Sequence, residues 1–168
     1  PPCEYACPSG IPTWKRTQLI RTGRIAEALE LVLQFSPLPA TVCGEVCAHL
    51  CMEGCTRARV DRPLSTEELG RASLNAATPA PEPKTGRKVA VIGGGPGGLS
   101  ASWQLALKGH AVDLYEAEEK IGGKLEYFIP RDRLPQKVLQ RELKRFEEVG
   151  IAIHRGRPID RDGFEALY

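Results

Sequence analysis

Apolar residues recur at intervals of three and four through 11–22 and again through 24–35, where Ile25, Ala28, Leu29, Val32 and Leu33 line up as one stripe. That spacing predicts two helices separated at Gly23. A proline-rich loop follows at 36–39. Ser65 stands three residues before Glu68, the spacing of a capping box, and predicts a third helix from Ser65 to about Ala76. The stretch 78–86, TPAPEPKTG, alternates three prolines and carries no large apolar residue, so it reads as an extended linker. Beyond it the period changes. Residues 87–92 form a β-branched run, 97–108 return to helical spacing with Gly109 as the stop, and 111–115 form a second apolar run. Strand, helix, strand implies parallel pairing. Leu134, Val138, Leu139, Leu143, Phe146 and Val149 predict a further helix up to Gly150, with the mixed charges of 140–148 on its solvated face; 151–154 reads as a short third strand. The expected fold class is α+β overall, an all-α module over 1–77, a linker over 78–86 and a partial α/β Rossmann-type domain over 87–168. The chain ends before the strands that an open doubly wound sheet requires, so it is expected to be a piece of a longer protein.

Composition adds constraints rather than identity. With 42% hydrophobic and 26% charged residues the chain reads as globular. Its 23 basic and 21 acidic residues leave a net charge of +2, and no field of one sign argues for nucleic acid or an anionic membrane as partner. No apolar run reaches the roughly 20 residues of a membrane span, and residues 1–8 have no basic start or apolar core of a signal peptide. Six cysteines are present, all within the first 55 residues. So uneven a distribution suits a metal- or cofactor-binding module in a reducing compartment better than a disulfide framework, and a cytoplasmic setting is expected.

Directly after the predicted strand at 88–92 comes Gly93-Gly-Gly95-Pro96-Gly97-Gly98, which satisfies G-x-G-x-x-G where a strand turns into a helix. Gly93 permits the tight turn, Gly95 admits a pyrophosphate close to the backbone, and Gly98 lets helix and strand approach. The helix N-terminus then faces the phosphates. Glu116, at the end of the second predicted strand, stands about 20 residues on, the distance at which a carboxylate accepts from a ribose. Strand alternation makes Asp113 the weaker ribose partner. The continuation Gly122-Gly123-Lys124-Leu125 resembles FAD-binding flavoproteins with two dinucleotide domains, although a plain surface turn would need no ligand.

Cys43, Cys47, Cys51 and Cys55 fall four apart, and on one continuous helix they would form a stripe drifting by about 40° per turn. Such a stripe cannot surround a single cubane, so these thiols serve different clusters, join Cys3 and Cys7 across space, or pack as small apolar residues. Cys7-Pro8 matches the Cys-Pro ending of many iron-sulfur motifs. Thiolates suit iron-sulfur clusters and zinc alike, and structural zinc is the main alternative. His49 reads as a loop histidine, His110 and His154 are not placed for acid-base work, and Trp14 and Trp103 read as packing residues.

The order Cys3-x3-Cys7-Pro8, Ile11-Pro12, Gly23-Arg24-x2-Glu27-Ala28, Pro37-Leu-Pro39, Cys43-Gly44-x2-Cys47 and Cys51-x2-Gly54-Cys55-x-Arg57 resembles the small subunit of NADPH-dependent glutamate synthase. The matching module of dihydropyrimidine dehydrogenase is similar. The likeness continues through Ile129-Pro130-x2-Arg133-Leu134-Pro135 and covers nearly the whole chain. It implies a helical ferredoxin-like domain with two [4Fe-4S] clusters, followed by an FAD site of Gly93, Gly95, Pro96, Gly97, Gly98, Glu116, Gly123, Lys124, Leu125 and Arg133. By the same resemblance Cys3 and Cys55 belong to one cluster, with two further cysteines expected upstream of Pro1. Cys7, Cys47 and Cys51 belong to the other, whose fourth ligand in some relatives is a glutamine or similar residue at the position of Gly70. Glycine has no side chain to ligate, which leaves Cys43 or an external group. Ala48 and Phe128 depart from the family's usual proline and glycine. The implied activity is electron transfer from NAD(P)H through FAD and the clusters to a larger catalytic or electron-accepting subunit, with no catalytic acid, base or nucleophile. The segment by itself is expected to be inactive. A non-catalytic adaptor, held by zinc or degenerate in its clusters, is the alternative.

Overall fold

The computed structural model describes residues 1–167. They fall into two compact units, one of Pro1–Thr78 with Asp132–Glu142, the other of Pro79–Arg131 with the residues from Leu143 on.

The first unit is helical. Short α1 (Pro2–Tyr5) is followed by α2 (Thr13–Arg21) and α3 (Ile25–Leu31), and Gly23 between them adopts φ +77°, a left-handed value that suits glycine. Helix α3 tightens into a 3₁₀ turn at Val32–Gln34. Ala28, Val32 and Leu33 of the predicted stripe are fully buried. The cysteine segment is neither one helix nor a loop. Ala40–Val46 winds as a π-helix, Cys47 is extended, His49 turns left-handed at φ 58°, and α4 (Leu50–Glu53) resumes before a second extended residue, Cys55. These breaks rotate successive thiols away from the single stripe that regular spacing would make. Helix α5 (Thr66–Ala72) starts at Ser65, whose Oγ accepts from the Glu68 N–H at 3.3 Å, and ends in a 3₁₀ turn at Ser73–Asn75. From 132–142 comes Glu142, fully buried, whose two carboxylate oxygens accept from the N–H groups of Ala40 and Thr41 at 2.8 and 2.7 Å. The orphan donors at the start of the π-helix are thereby satisfied. Of the stretch expected as a solvated face, Gln140, Arg141, Lys144, Glu147 and Glu148 are exposed, whereas Glu142 and Arg145 are buried and depart from it.

The second unit is a three-stranded parallel sheet in the order β1-β2-β3, formed by Lys88–Ile92, Ala111–Tyr115 and Ala152–His154. Val91 pairs with Leu114 and Ile92 with Tyr115, so β1 and β2 end level. Helix α6 (Pro96–Leu107) crosses between them, with Pro96 at its first turn, where a missing N–H costs nothing. Leu99, Trp103, Ala106, Val112, Leu114, Phe146 and Ile151 are buried, and the Trp103 and Phe146 rings lie 5.4 Å apart. Phe146 belongs to α8 (Gln136–Glu148), which follows the single turn α7 (Lys124–Tyr127); α9 (Arg161–Leu167) completes the described chain. Trp14, by contrast, is 45% exposed and donates through Nε1 to Glu4 rather than filling a core. The proline-rich stretch is hydrogen bonded to this unit, Glu82 N–H to the Leu107 carbonyl and Thr85 N–H to the Gly109 carbonyl.

Candidate functional site

The glycine turn is held from both sides. Gly93 takes φ +99°, and a Cβ at Gly98 would stand 1.8 Å from the Gly93 carbonyl oxygen, so any side chain there would force helix and strand apart. At Gly95 and Gly97 an added Cβ would meet nothing within 4 Å, leaving open space above the turn. That combination, closed beneath and open above, fits a pyrophosphate approaching the amino end of α6. Glu116 lies beside it. One carboxylate oxygen accepts from the Gly94 N–H at 2.6 Å, the other from the Glu118 N–H at 3.0 Å. Gly94, not singled out by spacing, is therefore the link between turn and carboxylate. Gly123, at φ +51°, brings its backbone so near that a Cβ would lie 2.9 Å from the Gly95 Cα, and the Gly122 N–H donates to the Gly94 carbonyl at 2.8 Å. Leu125 is buried behind this loop and Lys124 is exposed. The structure thus gathers Gly93, Gly95, Pro96, Gly97, Gly98, Glu116 and Gly123, with Lys124 and Leu125 on α7. Arg133 falls with the first unit, where its guanidinium donates to the Val46 carbonyl at 3.4 Å.

Asp113 faces its neighbours in the sheet instead. It accepts from His154 at 2.7 Å and pairs with Lys88 at 3.2 Å, while His154 stacks on Tyr115. The His154 hydrogen bond, partly offset by burial and reinforced by Lys88, holds its carboxyl below the usual range.

In the helical unit all six cysteines are free and half-buried. Cys43 lies close enough to Cys47, Cys7 and Cys51 to sense their charges. Burial pushes its thiol up to about 12, opposed by the neighbouring Arg16 guanidinium. Cys51 is also raised by burial, with the Thr66 hydroxyl 3.2 Å away counteracting. A cavity of about 200 Å³ is lined by Cys3, Cys51 and Cys55 together with Thr13, Trp14 and Leu64. Cys55 behaves differently. Burial opposes its ionisation, yet hydrogen bonding to the backbone of Leu64, Arg57 and Ala58, with the Arg57 charge, holds its thiol below the ordinary value. The six cysteines thus form a group of Cys7, Cys43, Cys47 and Cys51 and a pair of Cys3 and Cys55, with Cys51 also reaching the cavity of the pair. Among the described residues no three His, Cys, Asp or Glu side chains are gathered so as to hold a single metal ion. Thiolates of a cubane each take a different iron and stand further apart, and soft sulfur donors in this number suit such a cluster. His49 donates its N–H to the Cys47 sulfur at 3.3 Å, and its ring lies 3.8 Å from Glu67.

Comparison with known proteins agrees with both halves. Residues 1–80 match the family described as dihydropyrimidine dehydrogenase domain II, 4Fe-4S cluster, and residues 91–146 match the NAD(P)-binding Rossmann-like domain. Over 96% of its length the chain is 35% identical to the NADPH-Fe(3+) oxidoreductase subunit beta of Geobacter sulfurreducens, and over 90% it is 39% identical to the NAD-dependent dihydropyrimidine dehydrogenase subunit PreT of Escherichia coli. Over most of its length the chain is thus similar to these two oxidoreductase subunits. The NADP(+)-dependent formate dehydrogenase subunit beta of Moorella thermoacetica is similar at 33% identity over 91% of the chain. The chain spans 25%, 39% and 26% of the lengths of these three relatives. No helix among the described residues is long and apolar enough to cross a membrane.

Proposed function

We propose that this chain is the cluster- and flavin-binding portion of an electron-transfer subunit that carries electrons from NAD(P)H through FAD and [4Fe-4S] clusters to a larger partner subunit. One observation supports the reading: a four-thiol group and a glycine turn open above Gly95 and Gly97, with the Glu116 carboxylate bound to the Gly94 N–H beside it, occur in the same chain. FAD, when bound, supplies the conversion of a two-electron hydride into single electrons, which iron-sulfur centres carry. The chain's own residues bind and orient. The open face at Gly95 and Gly97 and the N-terminus of α6 would receive the pyrophosphate, Glu116 the ribose, and the Gly123 loop would close over the turn. In the helical unit Cys7, Cys47 and Cys51 would hold one cluster, and Cys3 and Cys55 would contribute to the second. No residue need transfer a proton, so none is assigned as catalytic. The partner is a larger catalytic or electron-accepting subunit, of which the large subunit of a glutamate synthase is one case, and the setting is the cytoplasm. The relatives' names contain the word subunit and support such a partner.

The test is anaerobic purification of the full-length protein with quantification of iron, zinc and flavin. Iron and flavin bound to each chain are expected. Stoichiometric zinc without iron or flavin would overturn the reading in favour of a zinc-held adaptor.

A further inference from the structure

One face of α5 touches three groups in succession. Thr66, Gly70 and Ser73, spaced by four and three residues, are all buried and lie on one side of the helix. The Thr66 hydroxyl is 3.2 Å from the Cys51 sulfur, and the Ser73 hydroxyl accepts from the Arg16 guanidinium at 2.9 Å. Between them, the backbone at Gly70 presses so closely on the π-helix that an added Cβ would lie 2.8 Å from the Cys43 Cβ and 2.6 Å from the Gly44 nitrogen. Position 70 can therefore supply neither a ligand nor a spacer. Its bareness sets Cys43 down beside the same face as Cys51, one helical turn or roughly 6 Å along it.

The neighbouring polar groups are otherwise engaged. Glu45 pairs with Arg71 at 3.1 Å, and His49 has its ring toward Glu67. Arg16 is 2% exposed, yet its hydrogen-bond partners are neutral: the carbonyls of Ala28 and Leu69 and the Ser73 hydroxyl. A buried cation without an anion is costly, and the Cys43 sulfur is close enough for a negative charge on it to favour the guanidinium.

We propose that Cys43 is the fourth protein ligand of a cluster also held by Cys7, Cys47 and Cys51, and that Arg16 is the counter-charge to that metal-bound thiolate. The proposal rests on the electron-transfer reading above and goes beyond it by assigning a complete set of four thiolates within this chain. Cys43 is the ligand; Arg16 touches no iron and is a positioning and charge-balancing residue.

Full-length C43A, C43S and H49A proteins, prepared anaerobically with far-UV circular dichroism as the check on folding, decide the matter. C43A is expected to lose roughly half of the wild-type iron, or to convert one cubane to a three-iron form with its own EPR signal, while the other cluster's signal is unchanged. C43S, nearly isosteric, should retain the fold and show an altered EPR signal for the same cluster. H49A should match wild type. Wild-type iron and unaltered EPR signals in both Cys43 variants would overturn the assignment, as would cluster loss in H49A alone. Iron absent from the wild-type protein would instead defeat the electron-transfer reading. For Arg16, R16M should shift one cluster's midpoint potential to more negative values and R16K should restore it. An unchanged potential in R16M would remove the counter-charge role.

Discussion

Glu142 accepts from two consecutive backbone N–H groups in a fully buried setting, so its removal strands both donors. E142A is expected to cost about 2–4 kcal/mol, read as a lower urea midpoint with an unchanged slope, because each buried donor left unpaired costs about 1–3 kcal/mol. The glycine turn is sensitive for a steric reason. A methyl group at position 98 would collide with a backbone oxygen rather than a side chain that could swing away, so G98A should destabilise by about 1–3 kcal/mol and abolish flavin retention. Glu116 tests the ligand more gently. E116Q keeps its size but loses the charge that faces the Gly94 N–H and that, under the proposed function, receives the ribose; flavin affinity should fall roughly tenfold to a hundredfold by fluorescence titration.

At the level of elements, α5 depends on its first residue. Ser65 satisfies the Glu68 N–H, and S65A should cost about 1 kcal/mol of thermal stability. The join of β2 to β3 carries a pH signature. Because Asp113 titrates lower in the folded chain than its usual 3.8, its contribution is present above that value and is lost as pH falls through the folded value. The melting temperatures of wild type and D113N should therefore differ at pH 7 and draw together only as pH falls from 3.8 through the lower folded value; the pair is partly exposed, so the difference corresponds to about 0.2–1 kcal/mol. The strands themselves were readable from their β-branched runs, and β2 begins and ends where the apolar run does. The π-helix at Ala40–Val46 was not, because four-residue cysteine spacing suits an ordinary helix and only the close seat of Gly70 and the cap from Glu142 mark this segment out.

For the whole molecule, the first compact unit borrows Asp132–Glu142 from beyond the Rossmann turn, including the buried Leu134 and Leu139 and the capping Glu142. A chain of residues 1–78 alone should accordingly unfold at a lower urea concentration than the chain of 1–168, by circular dichroism, and equal midpoints would refute that dependence. Local spacing determined the rest of the plan: two dissimilar halves, a parallel βαβ unit, a phosphate turn whose glycines answer strictly local needs, and thiols in a number that calls for iron-sulfur or zinc chemistry. Those properties depend on neighbours within a few residues, and a sequence displays them directly. Which thiols group together, that Arg16 is buried against Cys43, and that Glu142 is a cap rather than a surface charge depend on residues 27 to 102 positions apart meeting in space. Periodicity holds no record of such meetings, because the free energy that selects them comes from burying and pairing charges once the chain has folded.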